Sequence, residues 1–155
     1  MKILIDGDSC RVLNITERVA KQYDVPCHIY CNTTCSVNTN ISSVHIVDCD
    51  RDAADFAIVN ACCENDIVIT NDSGLAAMVL AKNGIALNAS GAEYTNQNIM
   101  QYLNRRYTRQ TARRKSNRKQ VKGCIYENDK TPINYKATLI KLITTPHARK
   151  AAHSI

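Results

Sequence analysis

The chain has 155 residues, 45% of them hydrophobic and 22% charged. That is enough for one domain with a sizeable core, and it excludes two comfortable domains or disorder over most of the length. The formal net charge is +6, but residues 1–90 carry 6 Lys plus Arg against 11 Asp plus Glu, whereas residues 91–155 carry 14 against 3. An acidic half that can hold cations and a basic half that can hold phosphates is what an enzyme acting on a polyanion needs.

Lys2-Ile3-Leu4-Ile5 has the pattern of a short strand buried on both faces, and Asp6-Gly7-Asp8-Ser9 follows it. Because Asp6 and Asp8 interrupt the apolar run and no other run reaches membrane-spanning length, neither a signal peptide nor a membrane span is expected. The expected location is cytoplasmic. Cys10 to Tyr23 has near-helical spacing and ends at Asp24-Val25-Pro26; Cys27 to Cys31 is a second strand, Cys31 to Ser43 a polar loop, and Val44 to Val47 a third strand. After the turn at Asp48 to Asp52, Ala53 to Cys63 has a helical period that puts Phe56, Val59 and Cys63 on one face as candidate core contacts.

Ile67, Val68 and Ile69 form the fourth and central strand, closed by Thr70, Asn71 and Asp72, and a helix follows from Ser73 to near Asn83-Gly84. Ile85 to Leu87 is a fifth strand, Gly91 to Thr95 a loop, and a helix begins at about Asn96 and carries Tyr102 and Leu103. The chain turns basic from Arg105, and Leu139, Ile140, Leu142 and Ile143 define a final short helix that docks back on the body. This alternation predicts a three-layer α/β/α sandwich on a mostly parallel sheet of about five strands, with a basic carboxyl-terminal helical extension. One domain is expected over residues 1–145, including the basic segment 105–122, with 146–155 as a loose tail.

In an open α/β sheet, ligand sites form at the carboxyl ends of the strands. Asp6, Asp8 and Asp72 would meet there if the first and fourth strands are neighbours, and crowded carboxylates are neutralised by a hard divalent cation. Asp52 and Asp55, three apart at the start of the second helix, share a face and could complete the set. The competing structural reading makes Asp72 and Asp52 helix caps and gives Asp55 to the helix dipole. Asp48, Asp50, Glu64 and Asp66 are read as turn or surface residues.

Ile5-Asp6-Gly7-Asp8-Ser9-Cys10, Asp52-Ala53-Ala54-Asp55, Asp66 to Asp72 with Leu75-Ala76, Ala86-Leu87-Asn88, and Gly91 with Tyr94-Thr95 together resemble the bacterial YaiI/YqxD family over nearly the whole chain. That family looks like a PIN-like domain, the fold of many metal-dependent nucleases that cut RNA. The resemblance implies that Asp6, Asp52 or Asp55, and Asp72 correspond to the acidic set that binds Mg²⁺ or Mn²⁺, with Asp8 as an extra member. The chain departs from the family at Arg11, where a proline is usual, and at Lys122-Gly123-Cys124, where Lys-Gly-Pro is usual. Neither change removes a carboxylate.

Arg105, Arg106, Arg109, Arg113, Arg114, Lys115, Arg118, Lys119 and Lys122 are nine positive charges with no Asp or Glu between them. Such a run attracts phosphates without reading sequence, and Tyr102 and Tyr107 could stack on unpaired bases. A solvated helix face is the plainer alternative. The eight cysteines are scattered, and without an export signal reduced thiols are expected; the spacing of Cys27, Cys31 and Cys35 lacks the second pair a zinc site needs.

The leading function is divalent-metal phosphodiester hydrolysis of RNA or single-stranded nucleic acid, with no membrane partner and with homo-oligomerisation allowed. Ile3-Leu4-Ile5-Asp6-Gly7-Asp8 also resembles the first motif of haloacid-dehalogenase phosphatases, with Asp6 as nucleophile and Asp8 as general acid, and Thr70 imitates the second motif. A third class is a non-catalytic RNA-binding module.

Overall fold

Ile3, Leu4 and Ile5 are all fully buried, because β1 (Ile3–Asp6) lies in the middle of a sheet covered on both faces. The computed structural model describes residues 1–7, 11–34, 37–50, 52–115 and 133–145. The remaining strands are β2 (Cys27–Asn32), β3 (Ser43–Val47), β4 (Ile67–Ile69), β5 (Ile85–Leu87) and β6 (Glu93–Tyr94). The helices are α1 (Leu13–Gln22), α2 (Ala53–Ala61), α3 (Ser73–Ala81), α4 (Ile99–Lys115) and α5 (Ile133–Thr144).

The sheet order is β3-β2-β1-β4-β5-β6, parallel throughout except for the β5–β6 pair. Side chains of a strand alternate between faces, and the alternation sorts the core into two layers. Ile3, Ile5, Ile29, Ile67, Ile69, Ile85 and Leu87 face α1 and α5, through Val19, Ala20, Tyr135 and Leu139. Leu4, Tyr30, Val68 and Ala86 face the other way, onto Ile58 of α2, Leu75 and Val79 of α3, and Ile99 of α4. Each fully buried aliphatic side chain contributes about 1.5–3 kcal/mol. The expected three-layer sandwich is the observed fold, with one more strand than the sequence pattern revealed.

That strand, β6, lies inside the segment read as a loop, since two residues carry no periodicity. The helix after it starts at Ile99 rather than near Asn96. Thr95 and Asn98 cap it reciprocally: the Asn98 amide donates to Thr95 Oγ1 across 3.3 Å and the Thr95 amide to Asn98 Oδ1 across 2.9 Å.

The predicted core face of α2 is wrong. Phe56 is 58% exposed and Cys63 is exposed, while Ile58 and Cys62 turn inward and Val59 is half-buried. The helix is apolar on nearly every side, so its period did not say which face the sheet would take. Asp66, read as a surface residue, is buried; it accepts from the Lys2 and Cys63 amides and pairs with the Lys2 ammonium at 3.5 Å.

The docking of the last helix depends on Gly91, whose φ of +85° suits glycine and whose Cβ, if present, would stand 2.8 Å from the Tyr135 backbone. Tyr135 then reaches through the layer to Thr16 of α1, hydroxyl to hydroxyl at 2.6 Å. Cys27, Cys49, Cys62 and Cys63 are free thiols, and Cys31 is buried. Cys10, Cys35 and Cys124, and the tail 146–155, lie outside the described residues. Among the described residues, no helix is long and apolar enough to cross a membrane.

Candidate functional site at the carboxyl ends of β1 and β4

The chain leaves β1 toward β2 on one side and later crosses back to place β4 on the other, which makes the gap beyond β1 and β4 the topological switch point. Asp6 ends β1 and Thr70 directly follows β4. Both are buried, and the Thr70 hydroxyl donates to Asp6 Oδ2 across 2.9 Å. The same hydroxyl oxygen accepts the Asp72 amide at 3.0 Å, so one threonine fixes both aspartates.

Asp72 is the N-cap of α3, as the structural alternative held: its Oδ1 accepts from the Gly74 amide at 2.6 Å and the Leu75 amide at 3.3 Å. Such a cap stabilises a helix by about 1 kcal/mol. The same Oδ1 also accepts from Arg106 Nη1 on α4, in an ion pair with no local signal in the sequence. Glycine at position 74 permits this approach, since a Cβ there would stand 2.8 Å from Arg106 Nη1.

Asp55 enters from the first turn of α2. Burial pushes its carboxyl up from 3.8 to about 6, the charges of Asp72, Asp6 and Asp52 push in the same direction in that order, and Arg106 opposes them. Asp55 therefore lies within reach of the charges of Asp72 and Asp6 at one edge of the sheet. Asp52 stands further out, exposed, at the α2 N-cap with a left-handed φ of 64° and no side-chain cap bond. Asp8 lies outside the described residues.

Beside this edge is a cavity of about 600 Å³, bounded by Asn71, Asp72 and Ser73 on one side and by Arg105, Arg106 and Arg109 on the other. Tyr94 and Tyr102 meet edge to face on its wall at 4.8 Å, and the Arg105 guanidinium lies over the Tyr102 ring at 5.9 Å. Burial pushes the Tyr94 phenol up to about 12, so it stays neutral at ordinary pH. Tyr102 is thus committed to protein contacts, while Tyr107 is 72% exposed and remains the open ring. Arg113, Arg114 and Lys115 continue α4, although their side chains, like Arg118, Lys119 and Lys122, lie outside the described residues.

Carboxylates are the hard oxygen donors that Mg²⁺ and Mn²⁺ take. As placed, however, they do not enclose an ion: among the described residues no group of three or more His, Cys, Asp or Glu could hold one. Asp6 points to Thr70, and Asp72 is turned to its cap and to Arg106. The donors fit a divalent cation in kind and not in position. Sequence reasoning passed over Thr70 as the element joining the two aspartates; its signal was a hydroxyl at a buried strand end two residues before Asp72.

Fold and site define a doubly wound α/β protein with an acidic switch point faced by a basic helix. The chain belongs to the family described as Uncharacterized BCR, YaiI/YqxD family, whose model matches residues 4–145. It is 37% identical over 143 residues to a UPF0178 protein of Clostridium acetobutylicum, covering 92% of this chain and 97% of that relative. A UPF0178 protein of Exiguobacterium sibiricum is 35% identical over 144 residues, covering 93% and 97%. One from Clostridium perfringens is 42% identical over 114 residues, covering 74% and 76%. No solved structure matches the chain.

Proposed function

We propose that the protein hydrolyses phosphodiester bonds in RNA or single-stranded nucleic acid, with Mg²⁺ or Mn²⁺ as its cation. The observation that supports this most is Asp72, which lines one cavity with Arg105, Arg106 and Arg109 and whose charge, like that of Asp6, acts on Asp55. Carboxylates able to exchange protons, next to guanidinium groups able to hold phosphate, are what hydrolysis of a polyanion requires.

In this reading Arg105 and Arg109 hold a phosphate of the strand in the cavity and so bring the neighbouring diester toward the strand ends. Asp55 takes the proton from the attacking water as the water oxygen bonds to phosphorus, and the ester oxygen leaves and takes a proton from solvent. Asp6 and Asp72, with Asp52 further out, would supply oxygen donors to the cation only after turning from their present placement, and Asp55 is left free for the proton. No step is assigned to the cation, because the described arrangement does not close around one.

The phosphomonoesterase alternative, with Asp6 attacking phosphorus, has the Thr70–Asp6 bond in its favour and the burial of Asp6 against it. A panel of labelled RNA and single-stranded DNA incubated with Mg²⁺, Mn²⁺ or a chelator separates the readings. Metal-dependent cleavage is expected. A covalent aspartyl-phosphate trapped at Asp6 would replace hydrolysis of diesters by phosphatase chemistry, and binding without cleavage would reduce the protein to an RNA-binding module.

A further inference from the structure

Among the described residues Arg106 pairs with one acceptor, Asp72. Its guanidinium is 42% exposed and reaches Asp72 through Nη1 alone, although arginine carries five donors in a fork suited to two-point contact with phosphate. Arg105 and Arg109 border the same cavity, and among the described residues neither has a carboxylate partner. Among the residues that line the cavity, the guanidinium groups of Arg105, Arg106 and Arg109 are opposed by the carboxylate of Asp72 alone, a formal balance of +2. A phosphodiester carries one negative charge. A phosphomonoester carries roughly 1.5 to 2 near neutral pH and offers three strong acceptor oxygens. The volume of about 600 Å³ falls within the range of small-molecule sites.

We infer that this cavity is a pocket for the terminal phosphate of a nucleic-acid strand, and that Arg106 exchanges Asp72 for that phosphate when the strand end enters. The inference rests on the nucleic-acid reading above and names the part of the substrate the site takes. Gly74 leaves room for the guanidinium beside Asp72, since a Cβ there would stand 2.8 Å from Nη1. The exchange replaces a single-point contact to a carboxylate with a two-point contact to a dianion, and it leaves Asp72 to its cap bonds with Gly74 and Leu75.

The test is binding in chelator, where no cleavage is required, so its outcome is separable from that of the nuclease assay. Short fluorescent oligouridylates bearing a 5′-phosphate, a 3′-phosphate or hydroxyls at both ends are titrated with wild-type protein, Arg106→Gln, Asp72→Asn and the double variant. Uridine monophosphate and uridine serve as competitors. One phosphorylated end should bind about tenfold more tightly than the hydroxyl form, equivalent to about 1.4 kcal/mol. Arg106→Gln should erase that preference, so that phosphorylated and hydroxyl ends bind alike, and Arg106→Lys should restore part of it. Asp72→Asn keeps an acceptor for the cap and should strengthen phosphate binding, but only when Arg106 is present. Equal affinity for phosphorylated and hydroxyl ends would overturn the pocket. A gain from Asp72→Asn that persists in the Arg106→Gln background would overturn the exchange, because Asp72 would then act only as a repelling charge.

Discussion

The Thr70 hydroxyl donates to Asp6 Oδ2 across 2.9 Å, joining the ends of two neighbouring parallel strands that lie 64 residues apart in sequence. Both residues are buried, so the bond orients the Asp6 carboxylate as well as stabilising it. Thr70→Val keeps the shape and removes the donor, and it takes from the Asp72 amide its acceptor. A loss of about 1–3 kcal/mol in denaturant unfolding is expected, with Thr70→Ser close to wild type. A valine variant as stable as wild type would show that the hydroxyl does not hold the edge together.

Asp55 gives the fold a pH dependence of definite sign. Its carboxyl titrates at about 6 in the folded chain against an ordinary 3.8, so between those values the folded state keeps a proton the unfolded state has lost. Stability from this group therefore falls as pH rises from about 4 to about 6 and levels off above. Asp55→Asn removes the effect, and the variant should gain on wild type across that window and keep the gain at neutral pH. Thermal melts of both proteins across the range check it; parallel curves would place Asp55 outside the influence of burial and of Asp72 and Asp6.

The exposed arginines of α4 should act on binding through salt. Arg105→Gln combined with Arg109→Gln removes two guanidinium groups from the cavity rim and leaves the Arg106–Asp72 pair in place. Affinity for single-stranded RNA should fall, and the slope of log affinity against log salt should flatten by roughly 0.7 for each phosphate that is no longer neutralised. Sequence preference should stay as it was, since phosphates carry none. An unchanged slope would make this stretch of α4 a solvated surface.

The buried strands were legible because Ile3 to Ile5 and Ile67 to Ile69 are uninterrupted apolar runs closed by polar residues, and their parallel pairing follows from the helices between them. That pairing in turn brought Asp6 and Asp72 to one edge. The orientation of α2 was not legible, because a helix apolar on most sides has no preferred face until the sheet selects Ile58 and Cys62. Nor was the partner of Asp72. Arg106 lies 34 residues away, in a run of like charges where nothing local distinguishes the arginine that turns inward from those that face water. Asp6 and Asp72 could be placed by strand ends alone, whereas the countercharge depends on how α4 packs against α3.

Cleavage of end-labelled single-stranded RNA by wild-type protein and by Asp6→Asn, each with Mn²⁺ present or chelated, tests the central proposal most directly. The wild-type protein should cut only with the metal present, and Asp6→Asn should bind the RNA with near wild-type affinity and cut it at least a hundredfold more slowly, on the order of the contribution of one positioned acid–base or charge-stabilising group. Cleavage by Asp6→Asn at the wild-type rate, or no cleavage of RNA or single-stranded DNA by the wild-type protein with either metal, would contradict it.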